Sequence, residues 1–430
     1  FGRDRKAFSD QRELARHELG SGLTQTLNSV LARQDGALAE LEAMDGPHAW
    51  LARLVRHNAH SMLTTRNQLE ILQNAAEKYP RLIDDLKKAR YYIHLQYFIW
   101  ASDEFTEKLK AILIAKVKEG VEVRLLYDPV GCISQLSSRY VREMRAGGIK
   151  MEPFSPIYRL HTISYRNHRK IVVIDGIIGY TGGLNIGQDH LDGGSHSDSW
   201  RDTHVRIVGE TAVVLQAIFA VDWYNAVAED VAASAHFRPL PAQATQADLP
   251  VQTTVSGPDS EWRAIRQLYF AMILAARRHV FIQSPFFVPD ESIAEALKTA
   301  ALSGIDVRIM VGARGTGNEL PHWATNTYLK EIAAAGARAF VYQKGYFHAK
   351  TISIDSEICS IGSANLDIRS FSINYELNII AYDHELATSL EAAFKRDVAD
   401  CLEFSLEEYR QRPFPMRLRD SGARLLSPLL

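Results

Sequence analysis

Two histidines, two lysines and two asparagines recur at matched spacing in this 430-residue chain. The stretch Asn167 to Asn185 reads NHRKIVVIDGIIGYTGGLN, and the stretch Phe347 to Asn365 reads FHAKTISIDSEICSIGSAN. Both reduce to His, any residue, Lys, four residues, Asp, six residues, Gly, Gly or Ser, one residue, Asn. The first copy supplies His168, Lys170, Asp175, Gly182, Gly183 and Asn185; the second supplies His348, Lys350, Asp355, Gly362, Ser363 and Asn365. A basic, polar pattern kept at the same spacing 180 residues apart is not what packing alone would leave.

In each copy His and Lys sit two apart at the head of a β-branched run, IVVI or TISI, so on a strand they share a face. Lys ammonium and Asn amide groups are donors suited to phosphate oxygens. One imidazole can attack phosphorus and the other can protonate the leaving oxygen. The electrostatic load that a metal would otherwise carry then falls on Lys170 and Lys350, and neither a metal nor a cofactor is required. Asp175-Gly176 is a hairpin signal and Asp355-Ser356 a weaker one, so these aspartates suit backbone or cross-half contacts better than attack. Two further carboxylates, Asp202 in SWRDTHVRI and Glu376 in NYELNI, could each orient an imidazole.

Other clusters carry less. His190, Asp192, His196, Asp198, Asp202 and His204 could suggest a metal site, but they lie in a Gly/Ser loop without tight ligand spacing and read as solvated loop residues. Tyr91, Tyr92, Tyr97, Phe98, Phe286 and Phe287 read as core rather than a base-stacking platform. Cys132, Cys359 and Cys401 form no CxxC pair, which argues against a disulfide framework or zinc site and for a reducing compartment.

The elements that must position these residues also repeat. Alternating helix and strand from Tyr79 onward implies an α/β domain. ARYYIHLQ from Ala89 matches ARRHVFIQ from Ala276, EGVEVRLL from Glu119 matches SGIDVRIM from Ser303, and YVREMRAGG from Tyr140 matches YLKEIAAAG from Tyr328. The expected organisation is a helical segment over 1–80, a first half over 81–231, a linker over 232–259, a second half over 260–412 and an amphipathic tail over 413–430. The tail alternates Arg with Leu or Met and reads as a surface helix packed on the domain rather than a lipid anchor. A net charge of −2 argues against nucleic acid and makes any attraction to anions local. The sequence has no apolar run of 18 or more residues, so no spanning helix is expected. A chain that starts at Phe1 rather than Met is expected to be processed or truncated, and an anchor upstream is open.

The doubled HxKxxxxD with trailing GGxN or GSxN resembles the signature of the phospholipase D superfamily. Within it RNHRKIVVIDGIIGYTGGLNIG, WRDTHVRIVG, QAIFAVDW, QSPFFVPDE, HAKTISID…GSANLDIRSF and the ending RLLSPLL are similar to bacterial cardiolipin synthases, from about residue 82 to the C-terminus. The resemblance implies a duplicated phospholipase D-like fold, two pseudo-symmetric halves each a mixed sheet flanked by helices, with the site between them. It implies metal-independent transfer of a phosphatidyl group from one phosphatidylglycerol to another with release of glycerol. In that chemistry His168 would attack, His348 would act as acid and then base, and Lys170, Lys350, Asn185 and Asn365 would hold the phosphoryl oxygens. Gly183 and Ser363 would line the site, and Asp202 and Glu376 would orient the imidazoles. It also implies a place at the bacterial cytoplasmic membrane, peripheral or anchored by N-terminal helices. The rival within enzymes is a phospholipase D or phosphodiesterase that passes the intermediate to water; the rival outside them is a lipid- or partner-binding module without turnover.

Overall fold

The β-branched runs behind the two histidines form central strands of two sheets. In the computed structural model, which describes residues 27–44, 46–155, 164–194, 198–233, 247–313 and 319–427, the first sheet has seven strands. Their order is Asn67–Gln73, Thr203–Gly209, Ile178–Gly182, Ile171–Ile174, Tyr92–Tyr97, Glu122–Tyr127 and Lys150–Pro153. The second sheet has nine: Leu63–Thr64, Val251–Ser256, Glu376–Ala381, Ile358–Gly362, Thr351–Ile354, His279–Gln283, Asp306–Gly312, Arg338–Tyr342 and Cys401–Glu403. Each sheet is mixed. Tyr92–Tyr97 pairs parallel with Glu122–Tyr127 and antiparallel with Ile171–Ile174; His279–Gln283 does the same with Asp306–Gly312 and Thr351–Ile354. The duplicated α/β architecture expected from the sequence is thus borne out, strand for strand, around both motif copies.

Helices cover the outer faces. Glu104–Lys118 starts at a capping box, in which Asp103 accepts from the Thr106 backbone at 2.9 Å and the Thr106 hydroxyl accepts from the Asp103 backbone. Glu291–Leu302 starts at a simple N-cap, with Asp290 accepting from the Ile293 backbone. The inner faces meet each other. Val205 and Ile207 from the first sheet share one buried core with Cys359, Ile361, Leu377, Ile379 and Ala381 from the second. These residues alternate along their strands, so period-two patterning delivers one apolar face to each side of the interface. The helix Glu210–Val227 borders the same core through Val213, Leu215, Phe219, Ala220 and Trp223.

Behind each His-Lys strand lies a buried arginine lock. Arg169 Nη1 reaches Asp222 at 2.9 and 2.7 Å, and Gln96 donates to the same carboxylate at 2.7 Å. In the second half the matching position is Ala349, and the guanidinium comes from the other half: Arg201 Nε reaches Asp397 at 3.0 and 2.9 Å, with Gln283 donating at 2.9 Å. One lock is therefore internal and the other spans the two halves, which fixes their relative placement.

Two segments differ from the expected organisation. The N-terminal segment holds helices Gln34–Ala43 and His48–Ala59, then strands Leu63–Thr64 and Asn67–Gln73, so it is not helical throughout. These strands join different sheets, one in each half. The stretch read as a linker contains Val251–Ser256, which pairs along its length with Glu376–Ala381. Its Gln and Thr composition concealed a buried strand whose ends are tied by side chains: Gln252 donates to Ala52 O at 3.1 Å and accepts from the Tyr382 hydroxyl at 2.6 Å, and Ser256 accepts from Ile265 N at 3.0 Å. Residues 1–26 of the segment expected to be helical over 1–80 lie outside the described residues. Among the described residues no helix is long and apolar enough to cross a membrane.

Candidate active site

Each histidine sits at the end of a short parallel contact that crosses between the halves. Tyr346–Phe347 pairs with Trp200–Arg201, and the His348 N–H donates to Arg201 O at 2.7 Å. In the mirror position Asn167 bridges Tyr375, and the His168 N–H donates to Tyr375 O at 2.9 Å. This register puts each imidazole beside the residue that follows on the opposite half. His168 Nδ1 lies 3.0 Å from Glu376 Oε2, and His348 Nδ1 lies 2.7 Å from Asp202 Oδ2. The pairing is crossed: each half supplies one histidine and the carboxylate for the other's. With Nδ1 facing a carboxylate, the ring proton is assigned there and the Nε2 lone pair is left to react.

The carboxylates are themselves held. Glu376 is fully buried and accepts from the Ser363 hydroxyl through Oε2 and from Asn374 Nδ2 through Oε1 at 3.1 Å. Burial pushes its carboxyl up, but the charges of His168 and Lys170 and these hydrogen bonds outweigh that and hold it below the usual range. Asp202 Oδ1 accepts from the Thr203 backbone at 2.7 Å. Its own backbone is clamped by Asn74, which donates to Asp202 O and accepts from Asp202 N, both at 2.9 Å. Asn74 adopts φ 66°, a left-handed conformation that asparagine tolerates better than most residues.

Gly183 and Ser363 occupy matching positions with opposite means. A Cβ on Gly183 would lie 2.0 Å from Asp202 Oδ1, whereas Ser363 uses its side chain to donate to Glu376. The shorter Asp needs an empty position and the longer Glu is served by a hydroxyl. Gly183→Ala is therefore expected to push Asp202 off His348 and lower turnover at least ~10²-fold, the scale of losing an orienting partner. Comparing kcat of that variant with kcat of Ser363→Ala checks it; equal, small losses would contradict the steric reading.

Lys170 and Lys350 are buried and donate to the carbonyls of His168 and His348, at 2.7 and 2.5 Å. Burial brings Lys170 down to about 7, against the upward pull of Glu376, and Lys350 down to about 8, against that of Asp202 and Glu376. Burial likewise lowers the His168 imidazole, opposed by Glu376. Burial, then the charges of Lys350 and Lys170, hold His348 well below its usual range. The four basic groups thus act on one another across the halves and, with Glu376 and Asp202, form one desolvated, electrostatically coupled centre.

Asp175 and Asp355 lie away from this centre. Asp175 accepts from the backbones of Arg90, Tyr91 and Tyr92 at 2.8–2.9 Å, and Asp355 from those of Arg277, Arg278 and His279 at 2.7–2.9 Å. Each occupies a positive-φ turn position and ties its hairpin to the start of the adjacent strand; none of these contacts crosses between the halves. Asn185 Oδ1 accepts from Ile99 N at 3.2 Å, and Asn365 Nδ2 donates to Asp367 at 3.1 Å while its Oδ1 is buried without a partner among the described residues. Of the loop cluster, His196 lies outside the described residues, and Asp192 and Asp198 are exposed. His190 and His204 are buried, and burial lowers His190 to about 3. Among the described residues no group of three His, Cys, Asp or Glu side chains could hold a metal ion.

Aromatic neighbours distinguish the two histidines. His348 packs against Trp200, at 5.6 Å between ring centres, and against Tyr346, at 5.8 Å. His168 has Phe98 edge-on at 5.0 Å. The sequence reading assigned Phe98 to the core and did not single out Trp200, Tyr346, Asn74 or Asn374. Trp200 and Asn374 each lie two residues before a carboxylate that meets an imidazole, a position that only the alignment of the two halves exposes.

Known proteins share this sequence pattern and fold. The family described as cardiolipin synthase, PLD-like domain, matches residues 82–223 and 269–398, one stretch in each half. A cardiolipin synthase of Geobacillus kaustophilus is 42% identical over 383 residues, covering 88% of this chain and 76% of its own. The major cardiolipin synthase of Bacillus subtilis is 41% identical over 379 residues, covering 87% and 77%. The crystal structure of a phosphatidylserine synthase from Haemophilus influenzae superposes with a TM-score of 0.67 at 16% identity, over 89% of this chain and 99% of its own, and shares the fold. Doubled motif, crossed site and matched relatives converge: the chain belongs to the cardiolipin synthase family, the phosphatidyltransferases of the phospholipase D superfamily.

Proposed function

We propose that the chain joins two phosphatidylglycerol molecules into cardiolipin and glycerol at the membrane surface, through a phosphatidyl group carried on His168. The observation that carries this reading is the crossed pair of His–carboxylate contacts around two buried lysines. His168 is the nucleophile because its partner Glu376 is held ionised by three side-chain contacts. Its Nε2 attacks phosphorus, and the bond to the glycerol headgroup oxygen breaks. Burial, and after it the charges of Lys350 and Lys170, keep His348 unprotonated in the free protein; a bound phosphodiester anion offsets the two lysine charges and favours the imidazolium, so His348 can carry the proton that the departing oxygen takes. The same imidazole then removes the proton from a hydroxyl of the second phosphatidylglycerol. That oxygen attacks phosphorus, the phosphorus–nitrogen bond breaks, and His168 is restored. Lys170, Lys350, Asn185 and Asn365 bear the phosphoryl charge.

Purified chain given phosphatidylglycerol in detergent with a chelator is expected to release cardiolipin and glycerol in equal amounts. Phosphatidic acid without cardiolipin would replace this reading by hydrolysis. The lysines set the pH dependence. Raising pH through about 7 and about 8 discharges Lys170 and then Lys350 in the free protein, so kcat/KM is expected to fall along that range. The bound anion favours the charged lysines, so the alkaline limb of kcat is expected at higher pH. A pH–rate profile checks both; a kcat/KM that stays level from about pH 6.5 to 9 would contradict the role given to the lysines.

A further inference from the structure

The C-terminal helix Phe414–Leu425 is attached by one face and bare on the other. Asp420 and Ala423 are buried. Asn326 donates to Asp420 at 3.2 Å, Arg419 lies over the Trp323 ring at 4.5 Å, and Arg424 lies over the Tyr328 ring at 4.4 Å and pairs with Glu331. At about 100° per residue, Phe414, Leu418 and Leu425 fall within roughly 40° of one another, on the side away from Asp420 and Ala423. They are 67%, 59% and 84% exposed. A helix fixed this firmly would ordinarily turn such residues inward; here they form an outward apolar stripe.

The surroundings of the stripe are basic. From Tyr409 to Ser427 there are five arginines and one aspartate, in a chain whose net charge is −2. Arg412, Arg419 and Arg424 are engaged with Asp420 or Glu331, while Arg410 and Arg417 are exposed and make no ion pair among the described residues. Exposed apolar side chains beside unpaired arginines match the boundary between acyl chains and anionic headgroups.

The position fits the same partner. Contacts of residues 419 and 424 with residues 323 and 328 make the helix run parallel to Leu320–Ala334, so Phe414 lies towards that helix's N-terminal end. At that end His322 packs on Phe286 at 5.1 Å, and Thr325 accepts from Phe287 N at 3.1 Å. Phe287–Val288 pairs with Leu366–Asp367, directly after Asn365. The apolar stripe thus starts on the side of the molecule where the second motif copy ends.

We propose that Phe414, Leu418 and Leu425, with Arg410 and Arg417, form a docking face for an anionic phospholipid bilayer that holds the site against its substrate. The choice of partner rests on the phosphatidyltransferase reading; the test does not, because it reads binding. The 430-residue chain is expected to co-sediment with phosphatidylglycerol vesicles, and Phe414→Ser/Leu418→Ser/Leu425→Ser to lose at least tenfold in that affinity. Arg410→Gln/Arg417→Gln is expected to weaken binding several-fold on phosphatidylglycerol vesicles and to leave binding to phosphatidylcholine vesicles unchanged. Both variants should keep kcat on detergent-dispersed phosphatidylglycerol within twofold of the parent chain. Parent chain that stays in the supernatant, or a triple variant that binds as the parent does, overturns the proposal. A triple variant that turns a dimer into a monomer with unchanged vesicle affinity overturns it in favour of a second copy of the chain. Vesicle binding through the stripe in a chain that makes no cardiolipin would leave this proposal standing and remove the function proposed above.

Discussion

His168→Ala and His348→Ala are each expected to lower cardiolipin formation at least ~10³-fold, because nucleophilic attack and proton transfer are both lost to slower routes. Neither change should unfold the protein. Removing the His168 ring leaves Glu376 with two donors, the Ser363 hydroxyl and Asn374 Nδ2. Removing the His348 ring leaves Asp202 Oδ1 on the Thr203 backbone. A buried acceptor that loses one of several partners costs about 1–3 kcal/mol. Thermal melts and turnover measured on the same preparations separate the two effects. A single variant that keeps more than about a tenth of parental activity would contradict a site shared between the halves.

The crossed pairing predicts an effect that an uncrossed one would not. Glu376→Gln should free the ring of His168, in the opposite half, and Asp202→Asn that of His348. Each is expected to cost ~10²–10⁴-fold in kcat, the range seen when the group that sets a catalytic imidazole's tautomer is neutralised. The Nδ1 proton resonances give a readout that a merely structural role would not move. Glu376→Gln should abolish the low-field signal of His168 and spare that of His348, and Asp202→Asn the reverse. Loss of both signals in either variant would mean general loosening of the interface rather than two separate pairs.

The architecture was legible because duplication writes it twice. A β-branched run such as IVVI is ambiguous alone; its recurrence as TISI behind a second His-x-Lys, after matching helix and strand stretches, is not. Polar strands were the hard part. Val251–Ser256 reads VQTTVS and looks like linker, yet it is buried because its backbone pairs along its length with Glu376–Ala381 and the side chains of Gln252 and Ser256 find partners inside. Asn67–Gln73 has a similarly mixed burial pattern at the edge of its sheet. Sequence spacing named Asp202 and Glu376 as carboxylates near the site but carries no information on which imidazole each meets. That depends on register across the interface, where Trp200–Arg201 meets Tyr346–Phe347 and Asn167 meets Tyr375. The Arg201–Asp397 lock was hidden for the same reason: symmetry points to position 349, an alanine, and the guanidinium arrives from the other half.

A phosphatidyl ester of 4-nitrophenol separates the two histidines, since its leaving group departs without a proton. His348→Ala is predicted to release about one nitrophenolate per chain in a burst and then stall, because attack by His168 survives while activation of the acceptor does not. A rapid denaturing quench followed by peptide mass spectrometry should find the phosphatidyl group on the peptide containing His168. His168→Ala should give neither burst nor adduct. A burst from His168→Ala, or an adduct on any other residue, would contradict phosphatidyl transfer through His168.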